Sequence, residues 1–263
     1  MPEAATAPIV VSEKQGAVKW IRLNRPEARN AIGTDSCELL RREIESAAGE
    51  EARVVVLTGS GGSFCAGADL KSTNAAGLNV RDLLIQYYHP VVLAMVSSPL
   101  PVIAAVDGIA AGIGHDIALA ADLRLASDRA MFSEIFVNIG LIPDGGGTFN
   151  LPRLIGTARA MEMAMTGRKI PAEEAHRWGL VNYVYPAEEF ETKVQEFAES
   201  LAEKAPLSVA RSKKAIRAAL AGGTLEDALL READLQLELF ESDDFREGVT
   251  AFLEKRPPKF QGK

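Results

Sequence analysis

The chain has 263 residues, 47% of them hydrophobic, and a formal net charge of −7. An acidic surface sets up no field that would draw nucleic acid or an anionic membrane as partner. The two cysteines, Cys37 and Cys65, have neither disulfide nor metal-finger spacing, so neither a stapled fold nor a metal site is expected, and a reducing, cytoplasmic setting fits.

The length is long for one domain but within the reach of an α/β unit. Residues 1–8 are rich in alanine and proline, lack the basic-then-apolar pattern of a secretory leader, and read as a loose tail. Residues 9–11 and 18–23 read as strands joined by the polar turn Glu13-Lys14-Gln15-Gly16. Residues 35–48 have helical periodicity. Residues 54–58 form a β-branched run suited to a strand buried on both faces, ended by Gly59-Ser60-Gly61-Gly62. Residues 80–96 read as a helix and 102–106 as a second buried strand. The apolar stretch 91–106 is broken by Ser97, Ser98, Pro99 and Pro101, which argues against a membrane span. A helix over 117–121 and short strands over 123–126 and 131–132 follow. This alternation predicts α/β architecture with parallel pairing. Beyond residue 151 the chain reads as mostly helical, over 158–166, 172–178, 190–204, 208–221, 225–240 and 245–255. The last helices carry wide apolar stripes that suit a core or a second subunit.

Two glycine-bearing loops carry the most chemistry. They are Phe64-Cys65-Ala66-Gly67-Ala68-Asp69 and Gly108-Ile109-Ala110-Ala111-Gly112-Ile113-Gly114-His115-Asp116. Each follows a β-branched run and precedes a possible helix. Loops of this kind can aim free N–H groups at one point. Two such groups on a carbonyl oxygen stabilise an oxyanion, each by roughly 3–4 kcal/mol in a water-poor site. A third loop, Pro143-Asp144-Gly145-Gly146-Gly147-Thr148, sets a carboxylate among glycines. On residues alone Asp144 reads equally well as a helix N-cap or as a base. The run Gly112-Ile113-Gly114-His115-Asp116-Ile117 begins like a dinucleotide fingerprint but lacks its last glycine.

Five segments taken in order resemble the crotonase, or enoyl-CoA hydratase/isomerase, superfamily. They are Asn24-Arg25-Pro26-Glu27-Ala28-Arg29-Asn30-Ala31 and residues 64–70, 105–122, 140–148 and 167–181. The resemblance implies a crotonase (ClpP-like) spiral of ββα units over residues 1–200 and a helical C-terminal trimerisation region over 201–263. It implies a homotrimer or a dimer of trimers, acting on an acyl-CoA, with coenzyme A entering as part of the substrate and no separate cofactor. Within the superfamily the chain looks most like 1,2-epoxyphenylacetyl-CoA isomerases and Δ3,Δ2-enoyl-CoA isomerases.

The resemblance places an oxyanion hole at the amides of Ala68 and Ile113. Family hydratases use two glutamates. Here Asp116 stands at the first position, shorter by roughly 1.5 Å, and Phe136, which moves no proton, at the second. Glu134 is close in sequence; strand alternation puts it on the same side as Phe136 with different reach, and it is read as non-catalytic. A single carboxylate suffices to shuttle a proton in isomerisation, and Asp144 sits where isomerases of the family carry theirs. Isomerase is therefore the favoured expectation, with hydratase as the alternative. Aryl-CoA dehalogenase or thioester hydrolase is a minority reading that would use His89. Asp116 is a second acid or a polar wall. The coenzyme A ester is expected to meet Arg25, Ala28, Ala66, Asp69, Leu70, Lys255 and Phe260, and its acyl group Tyr88, His89, Phe136 and Leu141. His115 is expected to line the site and Cys65 to pack.

Overall fold

In a computed structural model, residues 7–71 and 77–263 are described. The tail expected over 1–8 therefore falls mostly outside the described residues. The strands are β1 (Val10–Gln15), β2 (Val18–Leu23), β3 (Val54–Gly59), β4 (Val102–Val106), β5 (Ile109–Ala111), β6 (Leu123–Ser127), β7 (Met131–Ser133), β8 (Ile170–Pro171) and β9 (Tyr183–Tyr185). The large sheet has the order β1-β2-β3-β4-β6-β9, and β5-β7-β8 form a small second one. In the large sheet only β1 is antiparallel to its neighbour. The α/β class and parallel pairing expected from the alternation are what the chain adopts.

The first hairpin corrects the reading of residues 13–16. Glu13, Lys14 and Gln15 continue β1, and the turn is Gly16 with Ala17, Gly16 at φ +61°. An edge strand open to solvent accepts polar side chains, so polarity alone did not mark a turn there.

β3 is buried at every position, and its side chains divide between two cores with period two. Val55 and Leu57 pack on one face with Cys37, Leu40 and Ile44 of α1 (Thr34–Ser46). Val54 and Val56 pack on the other with Phe190, Val194 and Ala198 of a later helix. Each valine or leucine so buried contributes roughly 1.5–3 kcal/mol.

The helix expected over 80–96 is α2 (Val80–Leu83), a widened π turn over Leu84–Tyr88, and α3 (His89–Ser97). Pro90 has no N–H for the carbonyl four residues back, and the widened turn absorbs that loss. The second glycine loop is half helix: α4 (Ile113–Ala120) begins within it and is buried along its whole length. The remaining helices are α5 (Gly147–Ile155), α6 (Thr157–Thr166), α7 (Ala172–Trp178), α8 (Phe190–Ala202), α9 (Pro206–Ala221), α10 (Leu225–Phe240) and α11 (Asp243–Glu254). Among the described residues no helix is long and apolar enough to cross a membrane.

Candidate active site

The two glycine loops meet at the C-terminal ends of β3 and β4. Cys65 N–H donates to the Ile109 oxygen at 3.0 Å, and Ala111 N–H donates to the Cys65 oxygen at 2.9 Å. Glycine is needed where they touch. A Cβ on Gly114 would stand 2.5 Å from the Cys65 oxygen, and Gly112 takes φ +55°, a backbone in which a side chain is strained. Cys65 packs as expected, and burial pushes its thiol up to about 12.

Ala68 pairs in parallel with Ile32. Ile32 N–H donates to the Gly67 oxygen at 3.0 Å, and Asp69 N–H to the Ile32 oxygen at 2.8 Å. In this pattern the N–H of the middle residue, Ala68, points away from Ile32. Ala68 is exposed. Ile113 opens α4, so its N–H is one of those a helix leaves without an intrahelical acceptor. The backbone conformation therefore leaves both amides expected of an oxyanion hole available, on adjoining loops.

Arg25 and Asp69 form an ion pair at 2.8 Å, and Arg25 also donates to the Ala31 oxygen at 3.1 Å. Asn30, to which no role was given from sequence, ties this region together from a left-handed φ of +58°. Its Nδ2 donates to the oxygens of Ser60 at 2.8 Å and Ser63 at 2.6 Å, and its Oδ1 accepts from Arg25 N–H at 2.8 Å. Asparagine tolerates that backbone, and its place inside the Arg25–Ala31 motif was the available signal. Ala28 and Ala66 are half-buried nearby, and Leu70 is exposed.

Asp144 does not cap α5. The capping position is Gly146, and no side chain closes that end. The Asp144 carboxyl is half-buried, its Oδ1 has no hydrogen-bond partner among the described residues, and burial raises its pKa against the opposing pull of His89. His89 Nε2 donates to the main-chain oxygen of Asp144 at 2.9 Å.

Asp116, in the first turn of α4, is wholly buried, and its Oδ2 accepts the Gly145 N–H at 2.7 Å. Burial, and then the charge of Glu134, raise its pKa well above the ordinary aspartate value. Glu134 is also wholly buried and accepts from His115 Nδ1 at 3.1 Å. Burial raises Glu134 to about 8 and lowers His115 to about 4, so the imidazole is neutral near pH 7. The alternation expected for Glu134 and Phe136 does not hold, because Ile135–Ile139 is a 3-10 turn. Glu134 turns inward to His115, while the Phe136 ring comes within 3.8 Å of where a Gly112 Cβ would be.

Three expected ligand contacts are placed otherwise. Tyr88 is buried, and its hydroxyl donates to the Ile32 oxygen at 3.2 Å, which braces the residue that pairs with Ala68. Phe260 lies against Gly248, and its carbonyl accepts from Arg53 at 2.6 Å. Arg53 enters β3 at the end opposite the glycine loops, about 20 Å away at ~3.3 Å per residue. Lys255 caps the end of α11. Within one chain, neither Lys255 nor Phe260 joins the cluster. Leu141 is exposed beside the Asp144 loop.

The enoyl-CoA hydratase/isomerase family model matches residues 13–263. A probable enoyl-CoA hydratase of Rhodobacter capsulatus is 49% identical over 243 residues, covering 92% of this chain and 94% of that protein. The 1,2-epoxyphenylacetyl-CoA isomerase of Escherichia coli is 38% identical over 263 residues, covering 97% and 98%. The crystal structure of an enoyl-CoA hydratase from Bacillus anthracis superposes with a TM-score of 0.92 at 37% identity, covering 97% of this chain and all of that one (100%). That match bears out the crotonase fold expected from the motifs. The chain belongs to the enoyl-CoA hydratase/isomerase family.

Proposed function

We propose that the protein is an enoyl-CoA isomerase, moving a double bond from the 3- to the 2-position of an acyl-CoA. The observation that carries this reading is the buried Oδ1 of the half-buried Asp144, without a partner among the described residues, in a chain that has Phe136 where family hydratases have their second acid. The thioester oxygen lies between the amides of Ala68 and Ile113. That hydrogen bonding makes the C2 proton acidic by stabilising the dienolate oxygen. Asp144 takes the proton from C2 and returns it at C4, so one carboxylate serves both steps. Its raised pKa suits it to both taking and giving the proton. The Phe136 ring keeps the acyl carbons apolar and supplies no acid at the second family position.

Asp116 carries the alternative, hydration, by keeping a carboxyl at the position of the first family glutamate. The side chain is wholly buried and its Oδ2 is held by the Gly145 N–H, which weighs against its activating water. Coenzyme A serves as the handle of the substrate, with Arg25, Asp69 and the backbone of residues 66–70 along its path. Self-association completes the assembly: Leu225 is 77% and Phe252 82% exposed on the C-terminal helices, a loss that a trimer contact would recover.

The test is a panel of 3-enoyl-, 2-enoyl- and aryl-CoA substrates on the wild type, Asp144→Asn and Asp116→Asn. Isomerisation that Asp144→Asn abolishes, with CoA-ester binding kept, supports the reading. Rapid hydration of a 2-enoyl-CoA, lost in Asp116→Asn but kept in Asp144→Asn, overturns it.

A further inference from the structure

Behind the reactive face, three ionisable side chains are withdrawn from water: His115 and Asp116 on α4, and Glu134 just after β7. His115 Nδ1 donates to Glu134 Oε1 at 3.1 Å, and Gly145 N–H donates to Asp116 Oδ2 at 2.7 Å. The other carboxyl oxygens, Asp116 Oδ1 and Glu134 Oε2, have no partner among the described residues. Gly147 shows how close the two groups stand. A Cβ there would lie 2.2 Å from Asp116 Oδ1 and 2.8 Å from Glu134 Oε1.

Two buried carboxylates this close cannot both ionise. Leaving both oxygens unpaired would cost about 1–3 kcal/mol each. One proton held between Asp116 Oδ1 and Glu134 Oε1, the oxygens that approach each other at Gly147, removes the second charge and gives Asp116 Oδ1 its partner. We propose that Glu134 is a positioning residue that shares a single proton with Asp116, so that the pair carries one negative charge and neutral His115 steadies its far side. The Asp116 oxygen is thereby kept on the Gly145 N–H, and the loop bearing Asp144 is held in place. The site also avoids a second negative charge beside a developing dienolate.

The groups facing the pair come from every element around it. His115 lies on α4 itself, Asp144 on the adjoining loop with His89 of α3 beyond it, and Arg124 of β6 is the cation acting on His115. Burial holds Glu134 at about 8. While the pair keeps its proton it carries one charge, and loss of that proton at alkaline pH adds the second.

The kinetic part of the inference rests on the isomerase reading; the spectroscopic part does not. Infrared difference spectra of the full-length protein at pH 7, in H2O and D2O, should show a protonated-carboxyl carbonyl band. The band should bleach with one proton on alkaline titration, persist in Asp144→Asn, vanish in Glu134→Gln and return in Glu134→Asp. The wild-type isomerase rate should fall about tenfold per pH unit on the alkaline side, a limb that Glu134→Gln lacks. Absence of the band in the wild type overturns the proposal, as does a band that disappears with Asp144→Asn and survives Glu134→Gln. The wild-type titration and Asp144→Asn decide the matter even where the Glu134 variants do not fold. An inactive wild type with the expected band would sink the isomerase reading and leave the shared proton standing.

Discussion

His89 Nε2 donates to the main-chain oxygen of Asp144 at 2.9 Å, fixing the backbone of that residue while its carboxyl oxygen Oδ1 stays unpartnered. Position and reactivity of the aspartate are thus supplied by different atoms.

Replacing His89 with alanine should lower kcat on a 3-enoyl-CoA by about 10²-fold, the scale of a misplacement near 1 Å, with KM little changed. The loss of stability should be small, about 1 kcal/mol for one hydrogen bond. Steady-state kinetics with a urea melt separates the two effects. A variant with unchanged kcat would show that the Asp144 loop holds itself.

Gly147→Ala should be among the most damaging single-methyl additions. The new Cβ would meet Asp116 Oδ1 at 2.2 Å and Glu134 Oε1 at 2.8 Å, neither at the end of a side chain free to swing away. Overpacking of this kind costs about 1–3 kcal/mol, read as a lower thermal midpoint, and isomerisation should fall with it. Gly49→Ala, where nothing lies within 4 Å, should be close to neutral. Equal melting of the two variants would remove the crowding around Asp116.

Asp144 should set the acid limb of the pH profile. Burial raises its pKa above the ordinary value of 3.8. As a base it must be ionised, so kcat/KM should fall as pH drops through that raised value. The stability linkage has the opposite sense. The folded state holds this proton more tightly than the unfolded chain, so the stability it contributes is fullest below the unfolded pKa. It is lost as pH rises through the folded one. Activity and the Asp144 share of stability should therefore change in opposite directions across the acid range. An acid limb centred at or below the ordinary value would contradict the assignment.

Much of this architecture was legible in the residues because each feature had one physical cause. Val54, Val55, Val56 and Leu57 could only be a strand covered on both faces, and both cores claim them. The two glycine-bearing loops stood out as able to converge, and they do meet, through Cys65 with Ile109 and Ala111. Asp144 was balanced between cap and base until Gly146 took the capping position. Other features depended on contacts distant in sequence. Gly147–Ile155 forms a helix despite its glycine and Pro152 because Leu151 and Ile155 reach the core. β8 and β9 span only two and three residues, too short for a pattern. The side to which Glu134 turns is not the one alternation implies, because a 3-10 turn takes its place and sends the carboxyl to His115. Phe260 and Lys255 lie apart from the site because the tail folds back on α11, where Asp244 accepts the Gln261 and Gly262 amides at 2.6 and 2.8 Å.

The most direct test is a crystal structure of the protein with an unreactive acyl-CoA thioester. The thioester oxygen is expected within hydrogen-bond distance of both the Ala68 and Ile113 nitrogens, with the Asp144 carboxyl over the C2–C4 edge of the chain. A thioester oxygen held elsewhere, or those two nitrogens pointing apart with ligand bound, would contradict the enolate chemistry assigned to this site.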